Sequence, residues 1–172
     1  MGGIQLSNEE LIMAMCCYEA GCPERVQHFL KVYAFCQVIG RQEGIPAPVQ
    51  QILETAAIVH DIGIRPSLKK YGSSAGAYQQ IEGPAEAEKM LEELHYPAQM
   101  IERVSYLVGH HHTYQDIQGL DYQILVEADF LVNLFENAST RKVIRSVDTK
   151  IFRTAAGRRI LHAMFALDGT ED

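Results

Sequence analysis

Long hydrophobic runs are missing from this sequence of 172 residues, in which no stretch approaches the roughly 20 apolar residues that a helix needs to span a bilayer. Basic residues are also few, with 15 Lys and Arg against 22 Asp and Glu, and they form no single stripe. Because non-specific binding to nucleic acid depends on clustered Lys and Arg, we expect no nucleic-acid polymer as a partner. Because no apolar run is long enough to span a bilayer, we also expect no membrane as a partner. The net charge of −7 still allows a small phosphorylated substrate, which needs only local positive charge or a metal.

Cysteine is scarce and shows no CxxC spacing. The four cysteines, all in the first quarter of the chain, are Cys16, Cys17, Cys22 and Cys36. Structural zinc sites normally have paired Cys or His spacings, so we interpret these residues as reduced thiols rather than as zinc ligands. The sequence shows no secretory leader either, and we expect a cytoplasmic protein.

Helical periodicity dominates the sequence. Apolar residues recur at three- and four-residue spacings through most of the chain, and few segments alternate with period two, which predicts an all-α fold. A length of 172 residues suits one domain, and no repeat or change in composition marks a second. We therefore expect a single domain over residues 1–172, with its core motifs at about 25–135 and C-terminal helices at 139–168 packed on it.

Residues 64 to about 82 are the exception to the helical pattern, because Gly, Ser and Lys are common there and the apolar period is lost. Long loops inside compact domains are usually functional or disordered. The sequence therefore predicts a lid or a substrate loop here, with a helix resuming at Pro84. Lys69 and Lys70 on this loop could close over a phosphate. The alternative is that both are solvated surface lysines.

Three places insert residues typical of metal ligands into otherwise apolar helices: His28, the pair His60-Asp61, and Asp129. An ionised carboxylate is costly to bury without a partner, and Asp129 lies in the most hydrophobic segment of the chain. A cation shared by the two carboxylates and the two imidazoles would satisfy them. Adjacent helical residues point about 100° apart, so His60 and Asp61 can both face one ion only where the helix ends, as Gly63 indicates.

Each of these residues also has an ordinary structural explanation. A lone histidine such as His28 is commonly a packed or capping residue, and a His-Asp pair at a helix end is often a local hydrogen-bonded pair. Asp129 could instead form an ion pair with Arg25 or Arg103. The set as a whole favours the metal site.

The order of these motifs resembles the HD superfamily of metal-dependent phosphohydrolases over roughly residues 25–135. The residues that carry the resemblance are, in order, His28, His60, Asp61 and Asp129. It implies an HD-domain helical bundle in which these four residues coordinate a divalent metal ion (Mn, Fe, Co, Ni or Mg) and Asp61 has a catalytic role. Glu127 begins a Glu-Ala-Asp segment that is similar to the Asp-Ala-Asp segment common in the family.

Family members with two metal ions have further histidines between the His-Asp pair and the last Asp. Among His110, His111 and His112, the resemblance favours His110 and His111 as ligands of a second metal or as catalytic residues. Gly83 occupies the position of another expected histidine, which the neighbouring Glu82 could replace. Because of that departure we expect one tightly bound metal. The alternative is that the histidines only favour the negative end of a helix dipole.

The resemblance implies hydrolysis of a phosphate ester, in a nucleotide or another small phosphorylated metabolite, by metal-activated water that Asp61 orients. His110 or His111 could donate a proton to the leaving oxygen or hold the phosphate. Two alternatives keep the fold: a di-iron HD-type oxygenase, and a non-catalytic sensor that binds a metal or a nucleotide. The sequence indicates no oligomeric state.

Further candidate substrate contacts lie close to the predicted ligands in the sequence. Arg25 is three residues before His28 and therefore on the same helical face. Asn133 is one turn beyond Asp129 and could orient a ligand or a sugar hydroxyl. Together with the two lysines, these residues form the predicted substrate-binding set.

Overall fold

The computed structural model describes residues 8–168, which form nine α-helices and, within that range, no strand. The all-α prediction is confirmed. The helices are α1 (Asn8–Tyr18), α2 (Pro23–Gln42), α3 (Ala47–Val59), α4 (Ile64–Tyr71), α5 (Gly76–Glu93), α6 (Ala98–Val108), α7 (Leu120–Glu136), α8 (Arg141–Lys150) and α9 (Ala155–Phe165). None of these nine helices has the length and apolar character needed to cross a membrane. The predicted domain of residues 1–172 also includes 1–7 and 169–172, which lie outside the described part, and it stays a prediction.

The helices α2, α3 and α7 pack against one another and contribute a large part of the core. Every residue of α3 from Leu53 to Val59 is buried, so the end of this helix is enclosed on all sides. The middle of α7, over residues 124–129, is similarly enclosed, and Ile124, Leu125 and Leu131 are inaccessible to solvent. Polar residues on these helices are therefore held in a close-packed, water-poor environment.

The C-terminal helix α9 is attached to α7 through the buried carboxylate of Glu127. Its Oε1 accepts hydrogen bonds from the backbone N–H groups of Arg153, at 2.6 Å, and Thr154, at 2.9 Å, directly before α9 begins. Gly157 leaves room for this carboxylate, because a Cβ there would lie 2.1 Å from Glu127 Oε2. A negative charge is stabilised at a helix N-terminus. Thr154 caps α9, because its Oγ1 accepts from the Gly157 N–H at 2.9 Å, and Glu127 holds this cap in place by accepting from the Thr154 hydroxyl and N–H.

The predicted loop over residues 64 to about 82 is wrong, because this segment folds as α4 and the first part of α5. Only residues 72–75 connect the two helices, and Pro84 lies inside α5 rather than at its start. The packing of α5 uses small residues, since a Cβ on Gly83 would lie 2.8 Å from Val108 Cγ1. Burial through residues without large apolar side chains leaves no hydrophobic period in the sequence, which explains the error.

Candidate metal centre

The four predicted ligands come from three segments that pack together. His28 lies on α2, Asp129 lies on α7, and His60 and Asp61 directly follow α3. Residues 60–63 form a turn between α3 and α4. The turn frees the two adjacent side chains from the angular spacing of a continuous helix, so both can face the same point.

Gly63 completes this turn for a different reason from the predicted one. Its φ of −69° lies in the ordinary helical region, so no left-handed conformation ends the helix here. Instead, a Cβ at Gly63 would lie 2.7 Å from the Gln79 carbonyl oxygen and 2.9 Å from the Gly83 nitrogen. The glycine lets α5 pack directly against the turn that carries His60 and Asp61.

The ligand atoms of the four residues converge. His28 Nε2 lies 3.2 Å from His60 Nε2, 3.1 Å from Asp129 Oδ1 and 3.4 Å from Asp61 Oδ2. His60 Nε2 lies 3.5 Å from each of the same two oxygens, Asp61 Oδ2 and Asp129 Oδ1. Metal–ligand bonds of about 2.0–2.2 Å place neighbouring ligand atoms about 3–3.5 Å apart, which matches this spacing.

The outer nitrogens of the two histidines identify which ring atoms face the centre. His28 Nδ1 donates to Glu136 Oε2 at 2.8 Å, and His60 Nδ1 donates to the Ala57 carbonyl at 2.8 Å. An acceptor at Nδ1 places the hydrogen there and leaves a lone pair on Nε2 in the neutral ring. Both lone pairs then point into the space shared with the carboxylates. This donor set fits a divalent cation.

Electrostatics also favour a cation between these groups. Burial lowers the pKa of His28, but the hydrogen bond to Asp129 and the charge of Asp61 outweigh that effect and raise the pKa to about 9. Burial raises the pKa values of Asp61 and Asp129, whereas the neighbouring histidines lower them well below the ordinary range of a carboxyl group. Both carboxylates are therefore ionised, and the centre attracts positive charge.

The alternative in which Asp129 pairs with an arginine is wrong. Arg25 Nε lies 2.8 Å from the buried carboxylate of Glu19. Arg103 forms a two-pronged ion pair with Asp121, with N–O distances of 2.7 and 2.9 Å. Each arginine is thus neutralised elsewhere, and the charge of Asp129 is left to the histidines and a cation.

Asp61 connects these ligands to a second group. Its Oδ1 lies 3.4 Å from His111 Nε2, and one ligand atom each from Asp61, His111 and His112 lies within 4.8 Å of the others. His111 Nδ1 donates to the Val108 carbonyl at 2.9 Å, so in the neutral ring Nε2 has only a lone pair and cannot donate to Asp61 Oδ1. Among the described residues, the buried Nε2 atoms of His111 and His112 have no hydrogen-bond partner. Because buried polar atoms are normally satisfied, this group also fits a cation.

His110 does not join this group, which corrects the choice made from the sequence. Its Nδ1 donates to the Tyr106 carbonyl at 2.7 Å, and its ring stacks on Tyr106 with centroids 4.1 Å apart. It lines a separate open cavity of about 610 Å³ together with Arg103 and Tyr122. The turn after α6 directs consecutive histidines to different sides, and His112 takes the place expected for His110.

The residues around Gly83 explain how a histidine other than the expected one completes the second group. A Cβ at Gly83 would lie 2.8 Å from Val108 Cγ1, so a side chain there would displace Val108, and Glu82 pairs with Lys70 Nζ at 2.8 Å instead of reaching Asp61. Gly76, at the start of α5, opens space for His112, because a Cβ there would lie 2.7 Å from the His112 Cγ.

The predicted substrate-binding residues have mixed positions. Arg25 and Lys70 are engaged in ion pairs with glutamates, and Lys69 is exposed on α4. Asn133 Nδ2 donates to Asp129 Oδ1 at 2.8 Å, so it contacts the carboxylate of a predicted ligand directly. Substrate contacts by Arg25, Lys69 and Lys70 stay a prediction. For Arg25 and Lys70 they require the ion pair with the glutamate to rearrange or to share its charge.

Comparison with known proteins shows the family to which this chain belongs. The HD domain family model matches residues 25–146, well over half of the chain, and the chain belongs to that family. A similar solved structure is the crystal structure of a predicted HD superfamily hydrolase from an uncultured Thermotogales bacterium, with a TM-score of 0.65 and 19% identity, covering 93% of this chain and 86% of that chain. This likeness confirms the HD-domain helical bundle. No curated protein matches the chain.

Proposed function

We propose that the protein is a metal-dependent phosphohydrolase that cleaves a phosphate ester in a nucleotide or another small phosphorylated metabolite. The observation that carries the proposal is the convergence of two imidazole nitrogens and two carboxylate oxygens, from α2, α7 and the turn after α3, with nitrogen–nitrogen and nitrogen–oxygen separations of 3.1–3.5 Å. Membership of the HD-domain family supports the hydrolase class.

In this proposal His28, His60, Asp61 and Asp129 hold a divalent cation (Mn, Fe, Co, Ni or Mg). When bound, such a cation polarises a phosphoryl oxygen and makes a water molecule nucleophilic near neutral pH. The side chains of His28, His60 and Asp129 are 0–10% exposed, whereas that of Asp61 is 21% exposed. Substrate and water therefore approach from the side of Asp61.

Asp61 is the residue best placed to orient the attacking water. Its two oxygens face different partners, with Oδ2 toward His28 and His60 and Oδ1 toward His111. A carboxylate in that position accepts a hydrogen bond from water and aligns it. His111 offers a lone pair on Nε2, so it either takes a proton and passes it to the leaving oxygen or serves a second cation with His112.

The test is phosphate release from nucleoside mono-, di- and triphosphates and small phosphate esters, with Mn²⁺, Co²⁺, Ni²⁺ or Mg²⁺ added. We expect release with at least one substrate, and we expect a chelator or Asp61→Asn to abolish it. Asp168→Asn is the matched control, because Asp168 is 79% exposed in the C-terminal region and forms its ion pair with His162. If the protein binds a nucleotide but releases no phosphate with any of these ions, it is a non-catalytic sensor and the proposal fails.

A di-iron oxygenase is the second candidate, and the second ligand group favours it more than the sequence did. Asp61 lies between the two groups, an arrangement that also suits two iron ions. Protein purified without added metal would then contain two irons per chain, show the optical bands of a di-iron centre and leave phosphate esters intact. Metal analysis and an absorption spectrum separate the two candidates.

A further inference from the structure

We propose that Glu136 is a positioning residue of the metal centre, which fixes the orientation and tautomer of His28, and that Lys31 holds Glu136 in place. The inference rests on the proposed metal site but not on the reaction proposed for it.

The geometry links solvent to the ligand through two side chains. Glu136 Oε2 lies 2.8 Å from His28 Nδ1, and Glu136 Oε1 lies 2.7 Å from Lys31 Nζ. The exposed fractions of the side chains are 39% for Lys31, 31% for Glu136 and 10% for His28. Each carboxylate oxygen thus has a separate partner, one at the surface and one inside the centre.

The same two helices supply both the ligands and their supports. On α2, Lys31 follows His28 by three residues, and on α7, Glu136 follows Asp129 by seven, so each pair shares a helical face. Three contacts therefore join α2 to α7 at this point: His28 to Asp129, His28 to Glu136, and Lys31 to Glu136. Movement of Glu136 would free the His28 ring to rotate away from the other ligands.

His28 differs from His60 and His111 in the partner of its outer ring nitrogen, Nδ1. The Nδ1 atoms of His60 and His111 donate to backbone carbonyls, which are neutral and fixed by their helices. Of these three histidines, His28 alone donates from Nδ1 to a side chain, the charged carboxylate of Glu136. A carboxylate on the outer nitrogen makes a histidine a more basic ligand, and losing such a partner typically costs about 10–100-fold in metal affinity.

The experiment measures Co²⁺ affinity by chelator competition, and the visible Co²⁺ spectrum reports the geometry of the ligands. We expect Glu136→Ala to weaken binding about 10–100-fold and to alter the spectrum. Glu136→Gln keeps an oxygen that accepts from His28, so it should recover part of that loss. Lys31→Met should cost up to about fivefold, because a half-exposed ion pair contributes little.

Arg158→Gln is the control, since it breaks an ion pair with Asp148 that is also half-exposed but joins α8 to α9. It should bind Co²⁺ as the wild type does. A Glu136→Ala protein with wild-type affinity and spectrum overturns the inference. Wild-type protein that binds no Co²⁺ overturns both the inference and the metal site, whereas a wild type that binds Co²⁺ but cleaves no ester overturns the proposed reaction alone.

Discussion

The Nε2 atoms of His28 and His60 lie 3.2 Å apart, and in the neutral rings neither has a hydrogen to donate to the other. The hydrogens are on the outer nitrogens, where Glu136 and the Ala57 carbonyl accept them. Two lone pairs at this distance repel unless positive charge lies between them, and either a proton on His28, whose pKa is raised to about 9, or a cation supplies it. If these residues hold a cation as proposed, folding creates its binding site, and the bound cation would in turn stabilise the fold.

The second ligand group predicts how many metal ions bind. Because Asp61 is shared and His112 adds only one neutral ligand beside His111, we expect one tight site and a weaker second site. His112→Ala should remove the weaker site and leave the tight one intact. Titration with Mn²⁺ or Co²⁺, followed by metal analysis, measures both.

His110→Ala is the natural control for that experiment, because its ring stacks on Tyr106 and lies outside the ligand group. It should keep the metal stoichiometry of the wild type. A loss of the second ion in His110→Ala, with none in His112→Ala, would restore the assignment made from the sequence and contradict the geometry.

Glu127 is predicted to matter for stability and not for metal binding. Glu127→Gln should lower the free energy of unfolding by about 1–3 kcal/mol, because the amide nitrogen cannot accept the hydrogen bond that Thr154 Oγ1 donates to Oε2. Metal content should be unchanged. Glu102→Gln, an exposed change on α6, should alter stability by less than about 0.5 kcal/mol. A Glu127→Gln protein that loses its metal at unaltered stability would refute this role.

His162 makes the stability of the C-terminal helices depend on pH. Hydrogen bonds to Asp168 and Asp148 raise its pKa, and Arg158 shares Asp148. Because the pKa of His162 is higher in the folded than in the unfolded protein, its protonated form stabilises the fold fully at pH values below the unfolded pKa of about 6.5. That stabilisation is lost as the pH rises through the folded pKa. His162→Ala should therefore destabilise the protein at pH 5.5, by less than about 1 kcal/mol, and hardly at pH 9. Equal losses in denaturant unfolding at the two pH values would exclude this effect.

The sequence predicted the helical fold and the residues that converge because both leave strong signals. Charged or imidazole groups such as Asp129 are conspicuous inside an apolar helix, since burial without a partner is costly. The position of His60 and Asp61 at a helix end was also visible. Their convergence depends on packing between α2, α3 and α7, which only the structure supplies.

Other features of the site could not be predicted because they depend on turns and on competing partners. The turn after α6 directs His112 toward Asp61 and His110 away from it, and this turn has no sequence signal. Arg25 has the spacing predicted for it on α2, but Glu19 competes for its charge. Glu136 was missed because an acidic residue at a helix end ordinarily faces solvent.

The most direct measurement of the central claim is the metal content and thermal unfolding of the wild type beside Asp129→Asn. The proposed metal site predicts that the wild type binds at least one divalent ion per chain and that a chelator lowers its unfolding temperature. Folded Asp129→Asn should bind no divalent ion, and a chelator should not change its unfolding temperature. A wild type that holds no divalent ion and unfolds at the same temperature with or without chelator would contradict it.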